Sequence, residues 1–187
     1  MNVVEWFVVV FVWRGFICGF FYVLGVVAGG CCLLGVGGVV EALRCACGEL
    51  VRVFGDCFVG LVLFGSWARG EAGVGSDVDV FVVLRGGCSF DVRSKVYRVV
   101  AKHVRRHVTL VCVDVSDILR EDFELTPLMI NIVYDGIVVC DRDGVVSSFI
   151  EKGREFIRRI GLVRYRTPDG KYGWKRANGK PIAYLEV

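Results

Sequence analysis

Several residue types are scarce in this chain, and each scarcity narrows its chemistry. Of 187 residues, only three are proline, two histidine and two methionine. The two histidines, His103 and His107, have no cysteine or acid beside them to complete a zinc site, so they read as surface residues among Arg105 and Arg106. Cysteine is plentiful, but Cys18, Cys31, Cys32, Cys45, Cys47, Cys57, Cys88, Cys112 and Cys140 contain no C-x-x-C pair. That argues against a metal or disulfide framework, and because most of the nine stand in apolar runs, buried reduced thiols are expected.

Charge is missing from the amino end. No charged residue occurs from Gly15 to Val40, and residues 1–40 contain no Lys, Asp, Ser or Thr. The run exceeds the roughly 20 residues needed to span a bilayer. A membrane anchor is one reading, with Trp6, Trp13 and Tyr22 as interfacial aromatics. A cleaved signal peptide fits poorly, because the start lacks a basic region and carries Glu5. The competing reading is an over-extended start, a Val/Gly/Phe/Cys-rich stretch outside the natural protein. Both stay open, and neither changes the chemistry downstream. With 55% apolar residues in all, the chain can build one compact domain with a sizeable core.

The stretch from Leu61 to Leu84, LVLFGSWARGEAGVGSDVDVFVVL, organises the rest. An apolar run stops at Gly65-Ser66, a Gly-rich excursion follows, and a second apolar run opens with Asp77 and Asp79, which reads as strand, turn, strand. Residues i and i+2 of a strand share a face, so Asp77 and Asp79 present two carboxylates together. Such a pair repels itself unless a cation intervenes, and Mg²⁺ (or Mn²⁺) binds through one or two carboxylates plus substrate phosphates. Gly65 lets a ligand approach the backbone, and Ser66 adds a hydroxyl beside the turn amides, which makes a phosphate cradle. A phosphate seat facing a two-carboxylate site points to metal-assisted phosphoryl or nucleotidyl transfer. The competing reading is a plain hairpin with solvated aspartates, which leaves two charges at the head of an apolar strand unexplained.

Gly65-Ser66, ten intervening residues and Asp77-x-Asp79, with Ala68-Arg69-Gly70-Glu71-Ala72 between, resembles the signature of the polymerase-β-like nucleotidyltransferase superfamily, in particular its minimal members. The resemblance covers about two dozen residues. It implies ATP as donor, Mg²⁺ or Mn²⁺ on Asp77 and Asp79, the nucleotide phosphates against Gly65 and Ser66, and a first helix starting near Glu41, which favours the over-extended start. It also implies a HEPN-domain protein as a possible partner in a toxin–antitoxin pair. Within the motif, Arg69 and Glu71 suit a helix-like turn in which they pair. The family's third carboxylate belongs on the strand expected over Val108–Val115, near Thr109, which is no carboxylate. Asp114 is the only acid on that strand and is taken here as the candidate third catalytic acid beside Asp77 and Asp79.

Around this motif the pattern is that of an α/β (α+β) domain, a small mixed sheet with helices packed on one face, following the hydrophobic segment 1–40. Residues 41–143 form the expected nucleotidyltransferase core. An amphipathic helix is expected over Glu41–Phe54, strands over 57–64 and 77–84, a helix capped by Asp91 reaching about Val104, and a central third strand over 108–115. Short helices follow over 116–123 and from Pro127 to Tyr134, then a strand over 137–140. Residues 144–187 hold a last helix, with Gly153 breaking its apolar stripe, and a basic hairpin around Pro168-Asp169-Gly170. Residues 151–187 carry ten Lys and Arg against four acids, whereas residues 1–150 carry 13 against 16. With Tyr165, Tyr172, Trp174 and Tyr184 interleaved, this tail could bind nucleic acid, but a hairpin covering the core is the favoured reading.

The expected activity is therefore transfer of AMP from ATP to a hydroxyl on a protein or small molecule, with release of pyrophosphate, by a cytoplasmic catalytic domain. The chain has no room for the large extra domains with which relatives hold tRNA or DNA. The alternative is a nucleotide-binding module that has lost turnover with the third carboxylate and acts by holding a protein partner.

Overall fold

The computed structural model describes residues 35–120, 125–168 and 170–178. Most of the hydrophobic segment 1–40, with its anchor and over-extended-start readings, lies outside them, as do Asp169 and Tyr184. Among the described residues, no helix is long and apolar enough to cross a membrane.

The first helix, α1 (Val36–Phe54), begins five residues before Glu41, because Val39 extends the inward stripe by one turn to join Leu43, Ala46, Cys47 and Leu50, all buried. A short 3-10 turn leads into β1 (Phe58–Phe64), buried along its whole length. The one-turn helix α2 (Gly65–Ala68) occupies the start of the Gly-rich excursion, and β2 (Val78–Leu84) follows. Helix α3 (Phe90–Val104) is capped by Ser89, whose hydroxyl accepts from the Val92 amide at 3.4 Å, and not by Asp91, which sits in the first turn. After β3 (Val108–Asp114) come α4 (Val115–Leu119), α5 (Pro127–Asp135), capped by Thr126, and β4 (Ile137–Asp141). Helix α6 (Val145–Arg159) precedes a separate hairpin of β5 (Leu162–Arg166) and β6 (Tyr172–Arg176).

The main sheet has the order β3-β2-β1-β4, with β1 antiparallel to β2 and β4, and β2 parallel to β3. The mixed α/β class is as expected, but two details differ. β3 is an edge strand, and its apolar sequence reflects cover on both faces, not a central place. For the same reason the helices lie on both faces, not one. Leu61, Leu63, Val78, Val80 and Val82 pack with α1 and α3, while Val62, Phe64, Phe81 and Val83 pack with α5 and α6. Gly153 explains itself here, since a Cβ at that position would lie 2.7 Å from the Val133 side chain and push α6 off α5.

The expectation of reduced thiols fails for four cysteines. Cys47 of α1 is bonded to Cys140 of β4, and Cys88, just before α3, to Cys112 of β3; Cys45 and Cys57 are free and exposed. Each bond ties an α1/α3-layer segment to the sheet across 93 or 24 residues of chain, a pairing that no local spacing reveals. Constraint of the unfolded chain by a loop as long as the first is worth roughly 4–5 kcal/mol. Replacing Cys47 and Cys140 together by serine is expected to lower the denaturation midpoint, and reductant should do the same to the parent. Coincident midpoints with and without reductant would show that the bonds do not form in solution.

Candidate functional site

The site grows from the point where β1 ends and β2 begins. Phe64 pairs with Asp79 across the β1–β2 ladder, which brings Gly65 against the aspartate. A Cβ at position 65 would stand 2.0 Å from Asp79 Oδ2, and the Gly65 backbone has φ +73°, which side-chain-bearing residues rarely adopt. Both constraints select glycine, and together they seat the first turn of α2 directly on the carboxylate. Amides in the first turn of a helix have no intrahelical acceptor, so they and the Ser66 hydroxyl are suited to an anion.

Val78 and Val80 point into the α1/α3 core, so Asp79 stands on the opposite face, in line with Phe81 and Val83. Asp77 lies one residue before β2 and is exposed. Burial pushes the Asp79 carboxyl above its usual range, and the Asp77 charge pushes it the same way, against a hydrogen bond from Thr109 and the charge of Arg69. Two nearby carboxylates, one of them partly desolvated and its proton affinity raised further by the charge of the other, make a donor set that suits a hard divalent cation completed by phosphate oxygens. Among the described residues there is no cluster of three acids, histidines or cysteines that could enclose a metal without such help.

Thr109 is the register partner of Asp79 on β3, so a hydroxyl stands where the resemblance implies a third carboxylate. Asp114 does not replace it. It lies five residues further along the same strand, roughly 16 Å away at about 3.3 Å per residue. Its carboxylate is committed there, accepting from the Ser116 amide at 2.8 Å, the Ser116 hydroxyl at 2.6 Å and the Gly87 amide at 2.6 Å. These bonds hold its pKa below the usual range, first through Ser116. Asp114 caps α4 and anchors the turn after β2; the expectation that it is a third catalytic acid is corrected on this geometry.

The excursion between Gly65 and Asp77 is held from both sides. Trp67 is buried and donates its indole N–H to the Ser76 carbonyl at 3.3 Å. Arg69 donates from Nε to Glu71 at 2.8 Å, the pairing expected of them, and from Nη1 to Asp135 at 2.9 Å. The second partner, 66 residues away, had no signal in the sequence.

Residues 49–140 match the family model described as a nucleotidyltransferase domain. A protein of Methanocaldococcus jannaschii named putative protein adenylyltransferase is 33% identical over 132 residues, covering 67% of this chain and 85% of its own length. This chain belongs to the nucleotidyltransferase family. A solved toxin–antitoxin structure with AMP-PNP is 18% identical, with a TM-score of 0.45 over 62% of this nucleotidyltransferase and 87% of the other chain. A complex of the Shewanella oneidensis HEPN toxin with its MNT antitoxin gives 16% identity and a TM-score of 0.42, over 64% and 87%. The enzyme class of this nucleotidyltransferase is transfer of a nucleotidyl group.

A carboxyl with a raised folded-state pKa binds its proton more tightly folded than unfolded. Its stabilising contribution is therefore complete at low pH and is lost as pH rises through the raised value. At neutral pH, ionised Asp79 costs the empty nucleotidyltransferase stability. Asp79→Asn is expected to melt at a higher temperature than the parent near neutral pH, with the gap closing as acid protonates the parent. A variant that melts no higher at neutral pH would show that Asp79 carries no such burden.

Proposed function

We propose that this nucleotidyltransferase moves AMP from ATP to a hydroxyl on a protein, or on a small molecule. The observation that carries the reading is the close approach of Gly65 to Asp79, which supports a phosphate seat beside a two-carboxylate site with no side chain between them. In this reading the β- and γ-phosphates rest on the first-turn amides of α2 and on the Ser66 hydroxyl. Asp77 and Asp79 would hold Mg²⁺ or Mn²⁺, which would supply positive charge at the α-phosphate, where the transition state gathers negative charge. The acceptor oxygen forms a bond to the α-phosphorus as the bond to the β-phosphate oxygen breaks, and pyrophosphate leaves. With Asp114 remote, the acceptor's proton passes to solvent or to a base that the acceptor brings.

Similarity to a relative named for protein adenylylation supports a protein acceptor over a small molecule. The resemblance of the Gly65–Asp79 motif to minimal nucleotidyltransferases supports a HEPN-domain protein as that partner. The presence of Thr109 opposite Asp79 favours a second reading, a module that binds nucleotide and partner with little turnover.

Incubation of the full chain with labelled ATP, Mg²⁺ or Mn²⁺ and the protein encoded beside it separates these readings. Label on the partner, lost in Asp77→Asn and in Asp79→Asn, is expected; nucleotide binding without label would favour the module. Ser66→Ala removes one hydrogen bond to a charged group, roughly 1.5–3 kcal/mol, or about one to two powers of ten in affinity. That loss is expected for Mg-ATP and not for AMP. Equal weakening of both would remove Ser66 from the phosphate seat and make it part of the pocket wall.

A further inference from the structure

The bonds that fix the phosphate seat continue out of the family core. Within the motif, the Arg69 amide donates to the Gly65 carbonyl at 3.2 Å and the Glu71 amide to the Ser66 carbonyl at 2.9 Å. Both side chains then reach beyond residues 49–140. Glu71 accepts from Arg69 Nε on one oxygen and from the Tyr172 hydroxyl of β6 on the other. Asp135, at the end of α5 with its side chain only 4% exposed, accepts from Arg69 Nη1 at 2.9 Å and from Arg164 Nη1 of β5 at 2.6 Å. The Tyr172 ring carries both guanidinium groups, Arg69 at 4.9 Å and Arg164 at 4.4 Å from its centroid. Every side chain in this set has its charge or its hydroxyl answered by another member. A buried carboxylate such as Asp135 tolerates the loss of one arginine badly.

Helix α2 has only four residues, too few to hold its own shape in water. Its position has to be imposed, by β1 and Trp67 on one side and by the Arg69–Glu71 pair on the other. The pair is itself set by the hairpin. We propose that the β5–β6 hairpin is a latch on the transfer site, and that Tyr172, acting through Glu71 and the Ser66 carbonyl, sets the geometry of the turn that receives the nucleotide phosphates. Tyr172 and Asp135 are positioning residues in this scheme, since neither touches the reacting atoms. The proposal rests on the nucleotide reading of Gly65 and Ser66, and its test separates the two.

Tyr172→Phe keeps the ring and its guanidinium contacts and removes only the hydroxyl. In the full-length protein it is expected to weaken Mg-ATP about tenfold, because the cost of ordering the 65–71 turn then falls on nucleotide binding. AMP binding and the melting temperature should hardly move. Because Tyr172 acts through the turn that carries Ser66, adding Tyr172→Phe to Ser66→Ala should cost far less than adding it to the parent. Tyr165→Phe, on the exposed side of the same hairpin, is the control expected to change nothing. Hydrogen exchange of the empty protein gives a readout that needs no nucleotide, and amides of residues 65–71 should exchange faster in Tyr172→Phe than in the parent. An unchanged ATP-to-AMP ratio, fully additive losses in the double variant, or unchanged exchange over 65–71 would each overturn the latch. Faster exchange in a protein whose parent binds no nucleotide would support the latch and overturn the nucleotide reading.

Discussion

The structure depends on one close approach, that of the Asp79 carboxylate to the bare Cα of Gly65. Nothing larger than hydrogen fits at position 65, because the space is taken by Asp79 Oδ2. The constraint runs in both directions. It fixes where α2 starts relative to the sheet, and it keeps Asp79 partly desolvated beside the Asp77 charge, with its proton affinity raised. A carboxylate so placed is a poor neighbour for itself and a good one for a cation, so the cost borne by the empty fold is the same feature that would favour loading. The two-layer cover of the sheet supports this arrangement from below. β1 and β2 are the two central strands, buried except at Asp79, and central strands shift least when loops move.

What was legible in the sequence was local. Gly65-Ser66 and Asp77-x-Asp79 lie within one strand–turn–strand unit, so their juxtaposition follows from the hairpin period alone. The helix stripes of α1 and α3 and the Pro127 start of α5 are equally local, and the structure shows them with small shifts at the ends. The larger misses concern distant partners. A mostly apolar β3 reads as central when only one covered face is assumed, but a sheet with helices on both faces makes its edge strand apolar too. Cys47 and Cys140 are far apart in the chain and meet only because α1 lies across the sheet. Asp114 has the residue type on the expected strand, but the parallel register with β2 places it beside Leu84 instead of Asp79.

The basic carboxyl end shows how composition and structure can part. Its excess of arginine and lysine invites a nucleic-acid reading. In the fold, Arg164 is bound to Asp135, Arg154 donates to the Val133 and Gly136 carbonyls, and Trp174 donates to Asn131 and packs edge-on against Tyr134. These contacts support the covering role for the hairpin. Arg164 balances an acid 29 residues away and Arg154 is spent on backbone carbonyls, so a charge count over a window of sequence overstates what the surface offers.

The presence of Thr109 where the resemblance implies a third acid bears on how the acceptor is activated. In a site with three carboxylates, the third can orient or deprotonate the attacking hydroxyl. Here Thr109 hydrogen-bonds to Asp79 and works in the opposite direction to burial, easing the ionised state of that carboxylate. A threonine cannot take up a proton from an attacking hydroxyl at neutral pH, so its contribution is to the donor set and not to the acceptor. β3 is an edge strand with Thr109 exposed, which leaves this side of Asp79 open. A macromolecular acceptor could approach there and bring its own base, whereas a small hydroxyl compound would have to rely on water. If Asp77 and Asp79 carry the transfer proposed above, Thr109 in this place and the open edge favour an acceptor large enough to complete the site.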